Sequence, residues 1–159
     1  MNIVKVGMAD LNVAVEPDVL RTVGLGSCVG VAIVDLTVKV GGLAHVMLPN
    51  AAAQTVENPA KYADTAIPLL VKKMQEKGAV VSRMVAKIAG GAQMFSTLTQ
   101  SDLIRIGPRN VEAVKEALTL LRIPLRSEDT GGNSGRTIDF SPVDGMLTIR
   151  TVSQGVKTI

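Results

Sequence analysis

The chain of 159 residues holds one cysteine, Cys28, and one histidine, His45, seventeen positions apart. A free thiol with a pKa of about 8.5 is only about 3% thiolate at neutral pH. An imidazole within reach can take the thiol proton and hold the resulting anion, which raises the population of nucleophile about tenfold or more. The imidazole then needs an acceptor for its second nitrogen. No Asp or Glu lies in the immediate motif, but Thr22, six residues before Cys28, offers a hydroxyl and a carbonyl oxygen. A neutral acceptor of this kind orients the ring while stabilising imidazolium less than a carboxylate does. In "GLGSC", Gly24 and Gly26 admit positive φ, so the turn can aim backbone N–H groups around Ser27 and Cys28 at a developing oxyanion. Ser27 could add a hydroxyl donor at the same place; the alternative is that Gly24 and Gly26 only shape a turn and Ser27 is solvated.

A simple register brings the pair together. Positions 28 and 45 are symmetric about a reversal at Leu36 and Thr37, so a tight hairpin there sets Cys28 directly opposite His45. Directly opposed residues share a face of the sheet, with Cβ atoms roughly 4.5–5.5 Å apart. A shift of one residue would send the two side chains to opposite faces, and a bulge at Gly41 or Gly42 would also move the pairing.

Residue types alone leave a second reading open. A lone cysteine among valines is commonly a small buried hydrophobe, and a lone histidine in an apolar strand is commonly a hydrogen-bonded core residue. Two other readings are excluded by context. Gly24, Gly26 and Gly30 resemble a dinucleotide-binding loop in spacing, but "VGVAIVDL" after them is β-branched and reads as a strand, where that loop needs a helix. "GGNSGR" lacks the Lys-Ser or Lys-Thr of a phosphate-binding loop.

The elements that must position these groups follow from hydrophobic patterning. Short strands are expected at about Ile3 to Val6, Leu11 to Val15, Val29 to Asp35 and Val40 to Leu48. From about Lys61 to Lys77, Ala63, Ala66, Ile67, Leu70 and Met74 recur at helical spacing, and Gly78 stops the helix. Strand character resumes over Val80 to Ala89 and runs into "AGGAQMF", whose paired glycines predict a turn or bulge. A second helix is expected after Pro108, ending near Arg122, with Val111, Val114, Leu118 and Leu121 on its buried face. Strands separated by the turns "EDTGGNSGR" and "PVDG" complete the chain. Helices and strands do not alternate strictly, which predicts a layered α+β domain rather than a doubly wound parallel sheet.

Composition bounds the rest. The length suits one domain spanning residues 1–159 with a single sizeable core. Two Phe, one Tyr and no Trp leave almost no rings on which to stack bases, and the 17 Lys and Arg are scattered, so nucleic acid is not the expected ligand. The N-terminal residues lack a signal-peptide core and no apolar run is long enough to span a bilayer, so the protein is expected to be cytoplasmic and not membrane-inserted. One cysteine can form neither an internal disulfide nor a cysteine-rich zinc site, and no metal or organic cofactor is expected.

With Thr22, "GLGSC", "AHVMLP", "KYAD", "KIAGGAQMF", "GPRNVEAV" and "EDTGGN" in order, the chain resembles the CheD family of bacterial chemoreceptor glutamine deamidases from about Leu20 to the final strand. The resemblance implies Cys28 as nucleophile, His45 as general base and Thr22 as the residue that orients the histidine. It implies hydrolysis of selected glutamine side chains on methyl-accepting chemotaxis proteins to glutamate and ammonia, with methylesterase activity in some members. The implied fold is a layered α/β/β domain with two packed, mainly antiparallel sheets and flanking helices, similar to the catalytic domain of cytotoxic necrotizing factor. The implied partners are the receptors and a CheC-type phosphatase. Met94 and Phe95 in "GGAQMF" are candidates for receptor docking or for the core, and Gly131, Gly132 and Asn133 either line the site or form a turn. The alternative function is a non-catalytic adaptor that binds receptors or a CheC-type phosphatase.

Overall fold

The structure is a computed structural model and describes residues 1–51, 56–93 and 105–159. Ten strands and two α-helices follow in the order β1 (Ile3–Lys5), β2 (Leu11–Val15), β3 (Val19–Leu25), β4 (Val29–Asp35), β5 (Val40–Val46), α1 (Ala63–Glu76), β6 (Met84–Gly90), α2 (Ile106–Leu120), β7 (Leu125–Thr130), β8 (Arg136–Phe140), β9 (Leu147–Thr151) and β10 (Gly155–Thr158). They form two five-stranded sheets, ordered β2-β5-β4-β6-β7 and β1-β3-β8-β9-β10. Each sheet has one parallel pair, β6 with β7 and β1 with β3, and is otherwise antiparallel. This is the layered α+β arrangement that the patterning predicts.

The first sheet is the middle layer. Val29, Val31 and Ile33 of β4 and Ala44 and Val46 of β5 join a core with the apolar stripes of α1 and α2, including Ile67, Leu70, Met74, Val114 and Leu118. Alternate residues face the other way. Cys28, Ala32, Val34 and Leu43 pack against Leu20, Leu25, Ile138, Phe140 and Leu147 of the second sheet. With both faces covered, all seven positions of β4 are buried, which is why its sequence reads as an unbroken apolar run rather than an alternation.

Helix α1 buries the expected stripe and ends at Glu76 with Lys77 as its cap, and Gly78 follows at φ 98° as the left-handed residue that closes it. Helix α2 begins at Ile106, two residues before Pro108 rather than after it. Proline is tolerated there because first-turn N–H groups have no intrahelical acceptor. Residues Val81–Arg83, expected as strand, form a 3₁₀ turn that leads into β6. Strand β3, which carries Thr22, was not expected from patterning.

The β4–β5 hairpin departs from the predicted register. Asp35 pairs with Val40, leaving a four-residue loop, and Gly30 rather than Cys28 stands opposite His45. No bulge occurs at Gly41 or Gly42, whose pairing is continuous. These glycines instead let the layers close in: an added Cβ would lie 2.9 Å from Pro142 Cγ at Gly41 and 2.7 Å from Leu70 Cδ1 at Gly42. Among the described residues, no helix is long and apolar enough to cross a membrane.

Candidate active site

A register offset of two residues preserves the face. Cys28 lies two positions before Gly30, so sulfur and imidazole both enter the space between the sheets as diagonal neighbours. Such neighbours are about 7–8 Å apart, within reach of a long or aromatic side chain. Gly30, directly opposite His45, leaves the intervening position without a side chain. A Cβ on Gly30 would stand 2.5 Å from Ile138 Cδ1 and 3.2 Å from Leu25 Cδ1, so the second sheet closes over this point.

Thr22 reaches across from that second sheet. Its Oγ1 lies 2.7 Å from His45 Nδ1 and also 2.7 Å from the Val6 carbonyl oxygen. The carbonyl can only accept, so the single hydroxyl proton goes to Val6 and the hydroxyl must accept from Nδ1–H. The chain of bonds therefore fixes the tautomer: Nδ1 carries a proton and, in the neutral ring, Nε2 carries a bare lone pair. Nε2 is buried and has no hydrogen-bond partner among the described residues. Leaving a buried polar atom unpaired costs about 1–3 kcal/mol, so this lone pair is held ready at an energetic cost. The Asp10 carbonyl, 2.9 Å from His45 N, and Ala9 N, 3.1 Å from His45 O, hold the histidine backbone from the side of β2.

Burial acts on both groups. It pushes the Cys28 thiol up, opposed in part by the residue's own backbone N–H, and it pushes the His45 imidazole down. Both shifts favour neutral groups. Burial thus works against a resting thiolate–imidazolium pair and favours the uncharged thiol and imidazole. No hydrogen bond joins Sγ to Nε2 in this arrangement.

The turn that carries Cys28 is clamped by its carbonyls. Ala92 N donates to Gly26 O at 2.8 Å and Gly91 N donates to Cys28 O at 2.8 Å. Asn110 Nδ2 donates to Ser27 O and to Met47 O, each at 2.9 Å. The "GG" of "AGGAQMF" makes this possible: Gly90 and Gly91 have φ of 115° and 67°, and a Cβ on Gly90 would collide with Cys28 O. Gly24 has the expected positive φ, 74°, but Gly26 does not, and Gly26 N–H is committed to Gly24 O at 3.1 Å. Gly26 therefore shapes the turn without being free to donate. Among the described residues, no backbone carbonyl accepts from Ser27 N–H or Cys28 N–H, the latter lying within reach of its own thiol sulfur, and these two are the candidate oxyanion donors.

Gly131 and Gly132 adjoin the clamp. Gly131 N donates to Gly90 O at 3.0 Å, Gln93 N donates to Gly132 O at 2.9 Å, and Arg136 Nη2 donates to Gly131 O at 2.9 Å. Arg136 is in turn paired with Asp129 at 3.1 Å. Met94 and Phe95 lie outside the described residues. Among those described, no group of three or more His, Cys, Asp or Glu side chains is disposed to hold a metal ion.

Two contributors escape a reading by residue type. The Val6 carbonyl has no side-chain signature. Asn110 does leave a signal: it is an amide on the stripe of α2 that otherwise buries Gly107, Ala113, Val114, Ala117 and Leu118.

A thiol and an imidazole with a bare nitrogen, facing the space between stacked sheets, with two N–H groups that no carbonyl takes up, form a site suited to acyl transfer through sulfur. Comparison with known proteins supplies the family. Residues 47–151 match the family model described as CheD chemotactic sensory transduction. The chemoreceptor glutamine deamidase CheD of Halalkalibacterium halodurans is 55% identical over 160 residues, covering 99% of both chains. The protein of the same name from Bacillus subtilis is 52% identical over 159 residues, covering 99% of this chain and 96% of its own. A hypothetical protein YfiH of Bacillus licheniformis, of solved structure, covers 70% of this chain and 46% of its own, at 16% identity and a TM-score of 0.44. The chain belongs to the CheD family. Thr22, Cys28 and His45 all precede the segment matched by the family model and fall within the near full-length similarity to the relatives.

Proposed function

We propose that the protein deamidates glutamine side chains of methyl-accepting chemotaxis receptors in the cytoplasm, with residues 1–159 acting as one catalytic unit. The names of its relatives support the substrate and the reaction. The observation that carries the chemistry is the Val6–Thr22–His45 hydrogen-bond chain, which leaves Nε2 unpartnered on the face of the sheet that Cys28 shares.

Nε2 takes the Cys28 proton as Sγ bonds to the glutamine Cδ, and the carbonyl π electrons move onto oxygen. Ser27 N–H and Cys28 N–H stabilise that oxyanion. As the carbonyl re-forms, the C–N bond breaks and imidazolium gives its proton to the departing nitrogen, releasing ammonia. Nε2 then takes a proton from water, whose oxygen adds to the thioester. Collapse expels sulfur, which regains a proton, and the net change is amide plus water to acid plus ammonia. A glutamate methyl ester presents the same carbonyl, so methylesterase activity is part of the proposal, with methanol as the leaving group. No step calls for a metal or organic cofactor. A CheC-type phosphatase is the proposed regulatory partner, to be sought by copurification.

The test is incubation with receptor cytoplasmic fragments, following amide-to-acid conversion by peptide mass spectrometry. The wild-type protein is expected to convert specific glutamines and Cys28→Ala to convert none. Deamidation by Cys28→Ala refutes the mechanism; a wild-type protein that binds receptor without converting it favours the adaptor reading.

A further inference from the structure

Asn110 is a buried amide on the otherwise apolar stripe of α2. It is fully buried, and its Nδ2 donates to two carbonyls on different strand ends. Because both partners are acceptors, the amide orientation is unambiguous. Its Oδ1 is left buried with no partner among the described residues. An apolar side chain of similar size would remove that orphan oxygen but leave the Ser27 and Met47 carbonyls without their donor, so what the amide supplies here is the hold on those two carbonyls.

The two carbonyls sit just past the end of the β4–β5 ladder, whose last pair is Val29 with Val46. Ser27 directly precedes the cysteine and Met47 follows the histidine by two. A peptide unit is planar, and in its trans form C=O and the following N–H point in opposite directions. The only cis bond in the described residues is Glu16–Pro17. Drawing Ser27 O toward α2 therefore turns Cys28 N–H away from α2. The neighbouring carbonyls, of Gly26 and Cys28, are held by backbone N–H groups of the β6 extension. The peptide carrying Cys28 N–H is the only one of the three set by a side chain. Helix α2 can come this close because Gly107 has no Cβ to strike the Ala92 and Gly91 carbonyls.

We propose that Asn110 is a positioning residue that orients the Ser27–Cys28 peptide so that Cys28 N–H is aimed at the oxyanion formed during acyl transfer to Cys28. The inference rests on the cysteine chemistry proposed above, yet its test needs no receptor. Acylation of Cys28 by p-nitrophenyl acetate passes through a tetrahedral oxyanion; alkylation by iodoacetamide attacks a saturated carbon and makes none. Both need the thiol and its base. Asn110→Leu and Asn110→Asp are compared with wild type, with Cys28→Ala as the blank.

The expected result is an acylation rate lowered about tenfold to a hundredfold, below the ~10²–10³ seen on deleting an oxyanion donor outright, because here the donor is misaimed rather than removed. Alkylation and its pH profile are expected to stay within about twofold. Equal loss of both rates in both variants identifies a role in folding and overturns the proposal, as does unchanged acylation. Absence of receptor deamidation by wild type refutes the proposed substrate and is read separately from this ratio.

Discussion

Thr22→Val probes the hydrogen-bond chain with almost no change of shape. It strips one hydroxyl that serves two buried groups, leaving the Val6 carbonyl and His45 Nδ1–H unpaired between the sheets. At about 1–3 kcal/mol for each buried group left unsatisfied, the cost to stability is about 2–6 kcal/mol before relaxation. The effect on catalysis has two parts. A hydrogen bond worth about 0.5–1.5 kcal/mol net biases the ring toward the Nδ1–H tautomer about two- to thirteenfold, and that bias disappears. The ring also loses the contact that fixes its orientation. Because the imidazole itself remains, part of the ~10²–10⁴ contributed by a positioned base is retained, and kcat for receptor deamidation is expected to fall about tenfold to a hundredfold. Thr22→Ser keeps the hydroxyl and is expected within about fivefold of wild type, on the same reasoning. The histidine is unique in the sequence, so ¹⁵N NMR of the imidazole assigns its tautomer without ambiguity. A neutral ring protonated on Nε2, or an imidazolium at neutral pH, would refute the reasoning. So would undiminished turnover by a folded Thr22→Val protein.

Two further outcomes follow from the same geometry. Protonated His45 cannot accept the thiol proton, and burial lowers its pKa, so the acid limb of kcat/KM is expected below the ordinary imidazole value of about 6.5. Burial raises the Cys28 thiol, so the alkaline limb is expected above the ordinary thiol range; an acid limb at or above about 6.5 contradicts the neutral pair. Gly30→Ala puts a Cβ 2.5 Å from Ile138 Cδ1 in the gap that the Thr22–His45 bond spans, and is expected to cost about 1–3 kcal/mol in thermal or denaturant unfolding and to reduce deamidation with it. Wild-type stability together with wild-type turnover would show that the sheets tolerate wider spacing.

Much of this was legible in residue patterns because the signals are local. The stripe of α1 and the apolar run of β4 report their own burial, and the latter marks a strand covered on both faces. Hairpin parity was legible too, since one face is shared whether Cys28 or Gly30 opposes His45. The offset was not, because "LTVK" carries no turn signature that distinguishes a two-residue from a four-residue loop. The reach from Thr22 to His45 was hidden for another reason. It joins different sheets, and β3 owes its strand character to pairing with β1 and β8, partners remote in sequence. Family resemblance pointed to Thr22, whereas the direction of its proton, and with it the base nitrogen, depends on a main-chain oxygen that no pattern of side chains records. The effect of burial on charge was not legible either: a nearby imidazole argues for thiolate, whereas the dry space between the sheets favours the uncharged forms.

The groups that would carry the chemistry lie between Val6 and His45, yet the strand facing them across the gap is held in its sheet by β8, and the cysteine turn is tied down from α2. A chain emerging from the ribosome therefore exposes its sulfur early and completes the apparatus around it late. Until the last third has been synthesised and docked, neither the β8 pairing that holds the Thr22 strand nor the Asn110 bond to Ser27 O can form.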